Sequence, residues 1–269
     1  MSHLRCNSNW RFGRGLALAA CALAPTAAHA GAWTEPQGQG QIIETLFGWL
    51  GAGNPYGGSG APREYKIGTQ TYFEYGLWDR LSLVGDIAAM RYELGAPSAD
   101  RFTGFDYSGG GLRARLWSDD IWVLSLEASG YVSGARDATR PAQDGNTGPE
   151  EDVRGLLGRN LTLFGMPAFF DAEAGYRFRT LGPPGEWRGD LTLGVAWTPR
   201  SQILMQSFNV ISNGAGAPGF LQWESHKGQL SLVYALDQHW SVQAGGFGTL
   251  YRRNMNSEYG ALLAVWRKF

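Results

Sequence analysis

The chain has 269 residues, 17% of them charged and 13% aromatic, with 39 glycines, 11 tryptophans and a formal net charge of −1. That balance is too acidic for a nucleic-acid binder, and a negative mean hydropathy excludes a bundle of membrane helices. Both cysteines, Cys6 and Cys21, precede the Ala28-His29-Ala30 cleavage motif, so a chain processed there would hold no thiol and no disulfide.

The N-terminus has the three parts of an export signal. Arg5, Arg11 and Arg14 are the basic region, Leu16 to Ala24 the apolar core, and Ala28-His29-Ala30 a small-x-small cleavage motif before Gly31. The apolar run is far short of the ~20 residues a helical span needs. Leu18-Ala19-Ala20-Cys21 competes as a lipidation box, which would place a lipid on Cys21. The expected division is a signal peptide over 1–30 and one membrane domain over 31–269.

From there the chain repeats one pattern: about ten residues of alternating polarity, then a turn. Twelve strands are expected, near 39–50, 64–77, 81–93, 105–117, 121–134, 154–164, 168–181, 188–198, 202–213, 220–235, 239–251 and 258–269. Links after even strands are short, as in Trp78-Asp79-Arg80, Ser118-Asp119-Asp120, Gly165-Met166-Pro167, Pro199-Arg200-Ser201 and Asp237-Gln238. Links after odd strands are mostly longer, as in Gly51 to Arg63 and Ala135 to Val153. Short periplasmic turns and long external loops mark outer-membrane barrels. Trp78, Trp117, Trp122, Trp197, Trp240 and Trp266 all fall at the short-turn ends, where an aromatic girdle belongs. The fold class is therefore all-β: a transmembrane, antiparallel, up-and-down β-barrel of about 12 strands. In lipid a sheet must close, because an open edge leaves backbone groups unpaired.

Side-chain period 2 assigns the faces. Phe170, Ala172, Ala174, Tyr176 and Phe178 face lipid, as do Leu191, Leu193, Val195 and Trp197. Strands 154–164 and 202–213 are ambiguous, since Asn and Arg fall on opposite faces in either register. Glu44, Glu74, Asp86, Arg113, Arg115, Glu127, Asp171, Glu173, Arg177, Arg179 and Asp190 are expected to line the lumen, because a charge at the bilayer midplane costs about 2–4 kcal/mol. Their signs oppose between neighbouring strands. They are either the walls of a narrow water-filled channel or an ionic network that fills the bore, which for about twelve strands is intermediate between packed and open barrels.

No catalytic residue is assigned. Ser212-Asn213-Gly214 resembles part of the His-x-Ser-Asn-Gly signature of outer-membrane phospholipase A, but the required His position is Val210. The mature histidines are His226 and His239, and His226 on the neighbouring strand is the possible base for Ser207. No metal-ligand spacing occurs, no cofactor is expected, and the Gly57–Gly60 and Gly109–Gly111 runs lack a phosphate-loop context.

Gly31-Ala32-Trp33-Thr34, the hairpin Glu74 to Leu81, Ala174-Gly175-Tyr176-Arg177-Phe178-Arg179 and Gly189 to Gly194 resemble a group of proteobacterial outer-membrane barrels grouped loosely with the meta-pathway phenol degradation transporters. The resemblance implies a barrel, small-molecule passage and no transferable catalytic residues. The expectation is a small-solute channel in the outer membrane of a Gram-negative bacterium. Its partners are outer-membrane lipids and, through the terminal Phe269, the barrel-assembly machinery; Arg267 departs from the usual assembly signal. The alternatives are a non-conducting barrel of envelope assembly, such as an exopolysaccharide-associated one, and a lipid hydrolase.

Overall fold

The computed structural model describes residues 31–52, 64–94, 101–132, 148–180, 182–218 and 220–269. The signal-peptide stretch, Cys21 and the Gly57–Gly60 run lie outside them. Alternating sequence becomes strand throughout: β1 (Gly40–Ala52), β2 (Glu64–Trp78), β3 (Leu81–Leu94), β4 (Arg101–Phe105), β5 (Ser108–Ser118), β6 (Trp122–Val132), β7 (Glu150–Leu163), β8 (Met166–Arg179), β9 (Glu186–Thr198), β10 (Ser201–Ser212), β11 (Glu224–Ala235), β12 (Trp240–Arg253) and β13 (Ser257–Lys268). All pair antiparallel with their neighbours, and β1 closes the cylinder by pairing with both β2 and β13. The seam runs from Gln41 against Lys268 to Ala52 against Ser257. Phe269 extends it, exchanging backbone hydrogen bonds of 2.9 and 3.0 Å with Gly40 and stacking on Tyr75.

The strand expected at 105–117 is two segments. β4 and β5 both pair with β3 as one stave, so the barrel has twelve staves. Between them Asp106 Oδ1 accepts from the Tyr107 amide, and Ser108 Oγ accepts from the Ala88 amide at 3.0 Å. These short side chains replace ladder bonds and let the strand bulge. β7 starts four residues before its expected beginning, because Glu150 and Asp152 point inward to arginines of β8 instead of forming an acidic loop.

The outside is apolar. Ile42, Leu46, Leu126, Leu191, Leu232 and Leu263 are all exposed on it, an arrangement that water penalises and lipid does not. Of the six tryptophans expected in the short-turn girdle, Trp78, Trp117, Trp122, Trp197 and Trp240 lie on the outer wall. Trp266 points inward instead: it is 5% exposed and its indole N–H donates to Gln243 Oε1 at 3.0 Å. It joins an internal apolar cluster of Phe169, Leu204, Val233 and Ala264. The ambiguous strands resolve at the girdle. Arg154 and Asn160 face inward, while Arg159 leans over the Trp122 ring at 4.7 Å, as Arg267 does over Trp240 at 5.0 Å.

The short turns are built by sequence-local chemistry. Phe164 and Gly165, with φ of 52° and 78°, form the two-residue turn whose twist suits a hairpin. Asp119 Oδ1 accepts from the Ile121 and Trp122 amides at 2.8 and 2.6 Å, and Asp237 Oδ1 from His239 and Trp240 at 2.7 and 2.8 Å. The Trp122 amide most strongly holds the Asp119 carboxyl below its usual range, and the His239 amide does so for Asp237. A depressed carboxyl stabilises the fold above the ordinary carboxylate range and loses that effect as pH falls through its own lowered value. Asp237→Ala is therefore expected to lower the urea midpoint for barrel unfolding at neutral pH, and to lower it less as the pH approaches that of acid unfolding. An unchanged neutral-pH midpoint would contradict this.

Candidate functional site

The inner wall carries two ionic knots, each produced by strand register. Toward the short-turn half, Arg113 of β5 stands opposite Glu127 of β6. Its Nε and Nη2 donate to Glu127 Oε2 at 2.9 and 2.8 Å, and its Nη1 donates to Glu74 Oε2 of β2 at 3.0 Å. Nη2 also reaches the Tyr72 hydroxyl at 3.3 Å. The Arg113 side chain is 5% exposed and that of Glu74 1%, so the group is desolvated.

The second knot spans β7, β8 and β9. Asp152 stands opposite Arg177, and Glu150 opposite Arg179. Arg177 donates to Asp152 and Glu150 at 3.0 Å each, and Arg179 to Glu150 at 2.7 Å and to Glu186. Glu173 and Asp190 face each other across β8 and β9. Two carboxylates in that position repel, and Arg154 relieves the repulsion by donating to them at 3.1 and 3.0 Å while gripping Asp152 with its other nitrogens. Arg188 lies 3.9 Å from Asp152. Several side chains here keep water contact, with Arg188 22%, Glu173 19% and Asp190 15% exposed.

Residues 31–39 fold into the cylinder past the first knot. The Trp33 carbonyl accepts from Arg113 Nη1 at 3.3 Å, the Ala32 carbonyl accepts from Ser125, and the Ala32 amide donates to Asp171 at 2.7 Å. Below them the Glu35 amide donates to Ser82 Oγ at 2.9 Å and the Thr34 hydroxyl to the Asp79 carbonyl at 3.0 Å. The Trp33 ring meets Phe169 edge-on at 5.8 Å and lies against Gly158, where an added Cβ would be 2.6 Å from the indole. Burial, and then the charge of Glu74, push the Glu35 carboxyl up, partly offset by Lys268 and Arg113.

Of the residues expected in the lumen, Glu74, Arg113 and Glu127 meet in the first knot, and Glu173, Arg177, Arg179 and Asp190 in the second. Asp171 stands between them under Ala32. Asp86 stands opposite Tyr72 of β2 on the inner wall. Arg115 sits at the short-turn mouth, donating to the Asp79 carbonyl at 2.6 Å. Glu44 is a correction. Ile43 packs against the internal cluster, so Glu44 points out, beside Val265 and Thr71. The Thr71 hydroxyl donates to it, a local satisfaction that alternation alone does not reveal. Glu44→Leu is expected to stabilise the barrel in lipid by about 1 kcal/mol; destabilisation of that size in a urea titration would contradict the outward placement. Sequence alternation missed Glu150, Asp152, Arg154, Glu186 and Arg188. For the first three the signal was a period-2 spacing, Glu150, Asp152 and Arg154, that runs into the expected strand at Arg154.

The serine–histidine pair is not assembled as a nucleophile and base. Ser207 and His226 lie on the outer wall with Asn209 between them. Asn209 Nδ2 donates to Ser207 at 3.1 Å, and His226 Nδ1 meets Asn209 Oδ1 at 2.7 Å while Nε2 faces Glu224 at 2.9 Å. An amide cannot take the serine proton. Ser212 is structural, donating to the Gly214 carbonyl and accepting from the Trp223 amide, both at 2.8 Å. Among the described residues no His, Cys, Asp and Glu cluster suits a metal ion.

No family model matches the sequence, and no curated protein matches it. Solved structures do match in fold. A crystal structure of an outer membrane channel from Pseudomonas putida F1 superposes with a TM-score of 0.66 at 13% identity, covering 88% of this chain and 98% of that one. The NanC porin superposes at 0.57 with 10% identity, covering 84% and 100%. The translocator domain of the autotransporter NalP from Neisseria meningitidis superposes at 0.52 with 11% identity, covering 87% and 90%. At such identities the likeness is one of fold, and that fold is the closed twelve-stave antiparallel barrel of outer-membrane proteins.

Proposed function

We propose that the protein is a narrow outer-membrane channel for small solutes, with a charged lumen and no enzymatic activity. The observation that carries this reading is the inner wall: a ladder of opposed charges that remains partly hydrated along β7, β8 and β9, throttled by an inserted segment that hydrogen bonds and packing hold against the wall. Opposed charges across a narrow bore favour small polar or zwitterionic solutes over ions of one sign. The channel fold of the Pseudomonas barrel supports the reading, and so does the resemblance to phenol-pathway transporters, which makes small aromatic compounds the first solutes to test. Phe269, closing the seam at the short-turn rim, is the proposed contact for the assembly machinery. Reconstitution into planar bilayers tests the proposal: discrete conductance steps are expected, and their absence from a verified, folded sample would overturn it.

A second reading draws on the short-turn half, where the Arg113 knot, the Trp266 cluster and residues 31–39 fill much of the cross-section. A barrel closed there would serve envelope assembly without conducting.

Glu35 supplies a pH test. Its carboxyl is raised when the segment is seated, so seating takes up a proton in the window above 4.5. Seating is then favoured in acid and weakens as pH rises through that window. Conductance should rise with pH there, and Glu35→Gln should remove that part of the rise. An identical pH profile in wild type and variant would refute the assignment.

A further inference from the structure

Asp171 lies in the lumen without an ion-pair partner of its own among the described residues. Asp171 is 2% exposed, and the charges that act on it are the Glu173 carboxylate and the Arg113 guanidinium, which is already engaged by Glu74 and Glu127. Among the described residues no lysine or arginine side chain pairs with Asp171, and Arg154 is engaged by Asp152, Glu173 and Asp190. A buried carboxylate in that position needs a cation or several donors. Its one donor from the inserted segment is the Ala32 amide at 2.7 Å.

The residue before that amide is Gly31, and the fit is close. Its φ is +102°, and a Cβ on it would stand 2.3 Å from Asp171 Oδ2 and 2.4 Å from Oδ1. Only glycine fits there, because the side-chain position on its Cα is taken up by the carboxylate. The α-nitrogen is bonded to the same Cα at about 1.46 Å, which keeps it within about 5 Å of the carboxylate. Immediately upstream is Ala28-His29-Ala30. Hydrolysis after Ala30 breaks the Ala30–Gly31 peptide bond. Water gives its hydroxyl to the Ala30 carboxyl and a proton to the Gly31 amine, which takes a second proton at neutral pH because α-amino groups titrate near 7.7–8.0. A neutral amide becomes a cation at the place where one is missing.

We propose that Asp171, with Glu173 beside it, is the binding site for the α-ammonium group of the processed chain, so that leader removal creates the ion pair that seats residues 31–39. The segment is thereby tied at both ends: covalently into β1 at Gly40, and ionically at Gly31.

The test uses the full chain, exported and purified from membranes in detergent. Intact mass should show a chain beginning at Gly31. An α-amine-selective reagent, 2-pyridinecarboxaldehyde, should then label the folded protein about tenfold or more slowly than the urea-unfolded one, the protection expected of a group with at least about 1.4 kcal/mol of local stability. Asp171→Asn should lose most of that protection. So should a variant with one alanine inserted after Ala30 and processed before it, which leaves every barrel residue intact. A different N-terminus, equal labelling of folded and unfolded wild type, or full protection in both variants would overturn the proposal. The labelling is independent of conduction, so its failure leaves the channel reading standing, and a silent bilayer leaves this one standing.

Discussion

Arg113→Ala is expected to destabilise the folded barrel by about 3–5 kcal/mol, the range found when one partner of a buried ion pair is removed. The guanidinium satisfies Glu127 twice and Glu74 once, and also holds the Tyr72 hydroxyl and the Trp33 carbonyl. Side-chain exposures of 5%, 1% and 12% for Arg113, Glu74 and Glu127 leave little water to replace it. The loss is therefore two uncompensated carboxylates, not two weak surface contacts. Arg113→Lys should recover only part of it, since an ammonium cannot fork between the two. Glu74→Gln in the Arg113→Ala background should cost less than it does alone, because the carboxylate it neutralises is already unpaired. The Arg91–Glu93 pair is the control: with Arg91 54% exposed, Arg91→Ala should change stability by no more than about 0.5 kcal/mol. Urea titrations in lipid vesicles would measure all of these, and a loss below about 1 kcal/mol for Arg113→Ala would show that the knot is solvated.

Gly158→Leu is expected to dislodge the inserted segment and raise single-channel conductance about two- to threefold, since a twelve-stave bore is wide enough for its contents to set the flow. Gly158 faces the Trp33 ring, and a Cβ would lie 2.6, 2.7 and 2.9 Å from three of its carbons. The strand backbone cannot retreat, being bonded to β6 and β8 on either side, so the indole must move. Trp33→Ala should act in the same direction while leaving the wall unchanged. Conductance unchanged in both variants would mean that the segment is not the restriction.

Period-2 alternation makes most of this fold legible in the sequence. It located the staves and placed Arg113, Glu127, Arg177 and Asp190 inward, because lipid outside and charge inside is a strong constraint on every second residue. It failed where a single residue was satisfied locally or where structure lay outside strands. Glu44 reads as inward by charge, yet a threonine hydroxyl and the lower half of the wall accommodate it outside. Trp266 reads as girdle by position, yet its indole finds Gln243 inside. Glu150 and Asp152 look like loop acids until register sets them against Arg177 and Arg179. The path of residues 31–39 was illegible, since a nine-residue segment without period gives no sign of turning into the barrel it precedes. The Asp106 bulge was hidden for a related reason: its hydrogen bonds depend on Ala88, on another strand.

The most direct test is a paired single-channel recording of the mature protein and of a form lacking residues 31–37, both shown to be folded by their resistance to urea. Small, discrete steps are expected for the mature protein and clearly larger ones once the segment is gone. Silence from both would mean that the charged interior is a solid ionic core, and equal wide conductance from both would mean that the inserted segment throttles nothing.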